Sequence, residues 1–78
     1  DLAEQYFYIA LKGINLNTSV SLKKGIHESF GELLMLIGKY DEAKKEFEIA
    51  FNLSETTLEQ AQIQGQLAEL CFKQGQIN

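Results

Sequence analysis

Apolar residues recur along the chain at three- and four-residue intervals, the spacing that places side chains on one side of a helix. In LAEQYFYIALK (2–12), Ala3, Phe7 and Ala10 form one stripe with Tyr6 and Leu11 beside it. Gly13 then offers a stop, since glycine tolerates the left-handed conformation after a last turn. NLNTS at 15–19 reads as loop, with Thr18 or Ser19 as N-cap. Residues 20–37 carry Leu22, Ile26, Phe30, Leu33, Leu34 and Ile37 on a wide apolar face that ends at Gly38. Asp41 is expected to cap a helix over 41–53 that buries Ala43, Phe47, Ala50 and Phe51, with Lys44 and Glu48 paired on its outer side. QAQIQGQL (60–67) alternates polar and apolar, the period of a strand. Ala, Gln, Glu and Leu dominate 58–70, however, and Ile63 is the one β-branched residue there. A fourth helix over 57–77 is therefore expected, capped by Thr56 or Thr57 and stopped at Gly75. The pattern predicts an all-α chain.

The pattern also repeats. Shifted by forty residues, Asp1 falls on Asp41, Ala3 on Ala43, Phe7 on Phe47, Ile9 on Ile49 and Ala10 on Ala50. Shifted by thirty-seven, Glu32 falls on Glu69 and Gly38 on Gly75, while Phe30 meets Leu67, Gly31 meets Ala68 and Leu33 meets Leu70. The chain thus holds one complete helix pair (20–53) between a second helix without its first (1–12) and a first helix without its second (57–77). Small residues at Gly31, Ala43 and Ala50 let helix axes approach closely, with Phe47 filling the space beside them. Four such helices with short loops could close as a bundle or stack as a solenoid.

The run GELLMLIGKYDEAKKEFEIAFNL (31–53) closely resembles a tetratricopeptide repeat. An apolar–small pair, Phe30-Gly31, is followed by Gly38, Tyr40 and Ala43 in the turn, an aromatic at Phe47 and Ala50 three residues later. Ala3, Phe7 and Ala10 match the family's second helix, and Leu67-Ala68 with Gly75 match its first. His27 stands where the family often has Trp, Glu55 where it often has Pro, and the spacings of forty and thirty-seven exceed the usual repeat length. The resemblance implies antiparallel helix pairs stacked as a right-handed superhelix, with the first helix of each pair lining a peptide-binding groove. On that wall Glu28, Glu32 and Met35 lie at i, i+4 and i+7, and their counterparts are Gly65, Glu69 and Phe72. Met35 and Phe72 equally read as residues packed on neighbouring helices. HEAT-type repeats share the period but lack the Gly-x-Tyr-x-x-Ala turn, and pentatricopeptide repeats would need basic base-reading positions.

Composition narrows the function. Hydrophobic residues make up 45% and charged residues 23%, which suits a globular chain. All 7 basic residues are Lys, against 11 acidic ones, for a net charge of −4. Residues 1–40 balance, and the excess lies in 41–78. With no Arg and no basic cluster, nucleic acid is not the expected partner. No apolar run approaches the roughly 20 residues of a membrane span. DLAEQYFYIALKG lacks a signal peptide's basic start, so the cytoplasm is the expected compartment. Without an initiator Met, the chain is expected to be a fragment of a longer protein. One His and one Cys leave little for catalysis or metal binding. His27 reads as a half-buried packing residue, and Cys71, between Leu70 and Phe72, as a small buried hydrophobe. Glu28 and Glu32 read as solvated, and no glycine cluster forms a phosphate cradle. The expectation is a non-catalytic, cofactor-free interaction scaffold for a basic or amphipathic peptide. Two alternatives stand beside it. One is self-association through uncovered end helices; the other is a regulatory segment like those of large bacterial ATPase-linked regulators.

Overall fold

A computed structural model describes residues 2–14 and 18–77, with side chains described as far as Gly75. These residues form four α-helices and no strand: α1 (Leu2–Lys12), α2 (Val20–Leu36), α3 (Tyr40–Leu53) and α4 (Thr57–Ile77). Asp1, most of the 15–19 loop (Asn15, Leu16 and Asn17) and the side chain of Ile77 lie outside the described residues. The alternating stretch 60–67 is helical, because Ile63, Leu67 and Leu70 supply an inward stripe at i, i+4 and i+7.

Local chemistry sets the ends. Ser19 caps α2, its Oγ accepting from the Leu22 amide at 3.1 Å. Thr56 caps α4, its Oγ1 accepting from the Glu59 amide at 3.1 Å and donating to the Glu59 carboxylate at 3.2 Å. Gly38, at φ +84°, closes α2 in a Schellman motif. The Lys39 amide donates to Leu34 O at 2.8 Å and the Gly38 amide to Met35 O at 3.2 Å.

Other sequence expectations about helix ends are corrected. Asp41 does not cap α3. The turn after Gly38 is so short that Lys39 takes the cap position, without a side-chain cap bond, and Asp41 falls in the first turn. There its charge still favours the helix's positive end. Gly75 does not stop α4, which continues to Ile77. Gly13 follows α1 without a positive φ; its amide donates to Ile9 O and Ala10 O at 3.2 and 3.1 Å. Among the described residues the i,i+4 ion pairs are Lys24–Glu28 and Lys73–Glu69, not Lys44–Glu48.

The core is Phe30, Leu34 and Met35 of α2, Ala43, Phe47 and Ala50 of α3, and Ile63 and Leu70 of α4. Phe7, Leu11, Leu33, Tyr40, Phe51 and Leu67 pack around it. α2 and α3 approach closely at Gly31, where a Cβ would lie 2.8 Å from the Phe47 ring. Phe47 itself is completely buried, which contributes about 1.5–3 kcal/mol relative to exposure. Each helix packs on the next in sequence, α2 on α3 most extensively. The Cα atoms extend over 42 × 33 × 13 Å. At 8–10 Å between axes a closed four-helix bundle would be roughly 15 Å across in both directions and roughly 31 Å long at the length of α4, so two extents above 30 Å mark helices set side by side in a layer.

Candidate functional site

A shallow groove opens between α2 and α4. Glu32, Met35 and Leu36 of α2 face Gln66, Glu69 and Lys73 of α4. Gln66 Nε2 donates to Glu32 Oε1 across the groove, and the other Gln66 amide atom, Oε1, is buried without a hydrogen-bond partner. Lys73 Nζ lies 3.7 Å from Glu69 Oε1. Leu36 is 75% exposed and forms an apolar lip. The charged groups along it are two carboxylates and a single ammonium.

Three of the five expected groove residues, Glu32, Met35 and Glu69, come together there. Met35 forms the floor rather than an open contact, because it is only 7% exposed and belongs to the core. Glu28 does not line the groove. It sits half-buried one turn earlier, held by Lys24 Nζ at 3.0 Å, and Lys24 also reaches Glu59 at 3.8 Å. Phe72 is 66% exposed and lies outside the groove lining. Leu36, Gln66 and Lys73 were not anticipated. Leu36 and Lys73 lie one helical turn beyond Glu32 and Glu69, a spacing that could have revealed them.

Among the packing residues, Phe30, Gly31, Ala43, Phe47 and Ala50 are buried as expected, and Phe7, Ala10, Tyr40 and Leu67 are half-buried. Phe7 stacks on Phe30 with centroids 5.4 Å apart and planes at 15°, and Tyr8 meets Phe30 edge-on at 5.2 Å. Ala3 and Ala68, expected to pack, are exposed. Cys71 is likewise exposed, not buried. Leu70 takes the inward position, and the next residue is turned about 100° around the helix.

His27 is half-buried, as its packing position implies, and its Nδ1 lies 2.7 Å from Glu46 Oε1, tying α2 to α3. Glu4, mostly buried on α1, accepts from Lys39 Nζ at 2.7 Å. That hydrogen bond, reinforced by the charges of Glu4 and Glu42, holds the Lys39 ammonium above the ordinary lysine value of 10.5 against a smaller opposing desolvation. A second cavity, about 240 Å³, opens between α3 and α4 and is lined by Glu48, Phe51, Asn52, Gln64 and Leu67. Both it and the α2–α4 groove, at about 190 Å³, fall below the roughly 300–1,000 Å³ usual for small-molecule sites. Among the described residues no three His, Cys, Asp or Glu side chains converge, and no helix is long and apolar enough to cross a membrane. Searches against protein-family models, curated proteins and solved structures find no match to the chain.

Proposed function

We propose that the chain is part of a tetratricopeptide-like helical array, a non-catalytic scaffold whose α2–α4 groove receives a donor-rich, amphipathic segment of a partner protein. The observation that carries this reading is the grouping of the Glu32 and Glu69 carboxylates beside the exposed, apolar Leu36. Lysines on one side of a partner helix would answer the carboxylates, and its apolar side would cover Leu36 over the Met35 floor. The side-by-side array of helices and the tight Gly31–Phe47 approach are consistent with a stacked repeat. The test is fluorescence anisotropy with an amphipathic Lys/Leu helical peptide, comparing wild type with Glu32→Lys/Glu69→Lys. Charge reversal should weaken binding about tenfold or more and flatten its salt dependence. Equal affinity of the two proteins for the peptide would overturn the acidic-groove reading.

A further inference from the structure

The carboxylates along the α2–α4 contact are held by donors of the chain itself. Near the helix starts, Lys24 Nζ takes Glu28 at 3.0 Å and reaches across to Glu59 at 3.8 Å, and all three side chains are largely buried. Inside the groove, Lys73 Nζ lies 3.7 Å from Glu69 on the same helix, and Gln66 of α4 donates across to Glu32 of α2. Glu32 and Glu69 are both exposed, so a donor from outside can approach either while its own partner is still in place.

A glutamine amide is an incomplete match for a carboxylate. It carries no charge, so its bond to Glu32 is about half as strong as one from an ammonium. It also carries an acceptor beside its donor, and Oε1 of Gln66 is buried without a hydrogen-bond partner while Nε2 is engaged. Burial of an unpaired oxygen costs free energy, which is recovered when the amide swings out to water. The Lys24 bridge differs on both counts: it is charged, and it sits largely buried between two carboxylates, so that end of the contact stays closed.

We propose that Gln66 is a displaceable clasp on the groove: its amide occupies Glu32 in the free chain, and a partner's lysine ammonium takes that carboxylate over as the groove fills. This rests on the acidic-groove reading and adds its regulation. Nε2 stands in for the ligand's donor, and part of the binding free energy is used to open the clasp. The affinity of the chain is therefore lowered by the fraction of molecules that are open before the partner arrives. Lys73 competes for Glu69 in the same sense but weakly, as an exposed pair within one helix.

Fluorescence anisotropy with the amphipathic Lys/Leu peptide tests this on Gln66→Ala, which removes the clasp without changing the charge. Gln62→Ala, at an exposed position one turn earlier on α4, controls for helix propensity, and unchanged circular dichroism verifies that both fold. Gln66→Ala should bind about three- to tenfold more tightly than wild type, and Gln62→Ala like wild type. The gain should vanish when Glu32→Gln is already present, because clasp and ligand compete for that one carboxylate. In NMR, the Gln66 side-chain amide signals of the free chain should shift on Glu32→Gln, and peptide added to the wild type should shift them the same way. Affinities of Gln66→Ala and Gln62→Ala within about twofold of each other would overturn the clasp, as would a gain that persists with Glu32→Gln. Gln66 amide signals unmoved by Glu32→Gln would overturn it with no peptide present. In each of these cases the groove reading survives, since it is decided by charge reversal at Glu32 and Glu69. If neither wild type nor Gln66→Ala binds the peptide, the groove reading falls and the clasp with it.

Discussion

Gly31 and Gly25 lie six residues apart on α2, and replacing each with alanine isolates the close approach of α2 to Phe47 of α3. A helix-interior Gly→Ala change gains about 0.5–1 kcal/mol from backbone entropy wherever the methyl has room. Nothing lies within 4 Å of a Cβ at Gly25, so Gly25→Ala should stabilise by that amount. At Gly31 the same methyl would stand 2.8, 2.9 and 3.1 Å from the Cε1, Cδ1 and Cζ atoms of Phe47. The Phe47 ring is fully buried, so it cannot swing into solvent to make room. Forcing a methyl into such a contact costs about 1–3 kcal/mol. The propensity gain is common to both variants, so that cost should appear as the whole difference between them. Urea denaturation followed by circular dichroism measures it. For a chain of this size, with an m-value near 1 kcal/mol/M, the midpoints should differ by about 1–3 M, Gly25→Ala the higher. Adding Phe47→Leu to Gly31→Ala should recover part of the loss, and the two changes should be non-additive. Equal midpoints for Gly25→Ala and Gly31→Ala would refute the close approach of α2 and α3 at this point.

Phe47→Ala should cost about 3–5 kcal/mol, enough to leave a chain this small largely unfolded, as amide-proton dispersion in NMR would reveal. Ser19→Ala and Thr56→Ala each remove a cap and should lower stability by about 1 kcal/mol in urea titrations, with additive effects because they start different helices. The Lys39–Glu4 bond makes a pH prediction. Since Lys39 is held above 10.5, its contribution is fully present below that value and disappears as pH rises through the raised folded value. The stability gap between wild type and Lys39→Met should therefore narrow between neutral pH and strongly alkaline pH. A gap independent of pH would contradict the assignment.

Much of the backbone was legible in the sequence because its causes are local. The apolar spacing placed all four helices, and Ser19, Thr56 and Gly38 announced ends that the hydrogen bonds realise. Gly75 and Asp41 misled for a related reason. A helical glycine stops nothing if packing continues beyond it, and a cap is claimed by whichever residue the preceding turn delivers, here Lys39. The repeat register also identified the Gly31, Ala43, Phe47 and Ala50 contact, since small residues opposite a ring encode close packing directly.

Tertiary structure alone decided which copies of the stripe are covered. Ala43 and Ala3, or Leu34 and Cys71, occupy equivalent positions, yet one of each pair is buried and the other exposed. Periodicity records which side of a helix is apolar; burial requires a second helix to lie against that side. The groove depended on the same condition. Glu32 and Glu69 could be named from their register, but Gln66, Lys73 and Leu36 join them only because α4 crosses beside α2, and Met35 is drawn down into the floor for the same reason. The tie between Lys39 and Glu4 spans 35 positions of sequence and has no local signature at all.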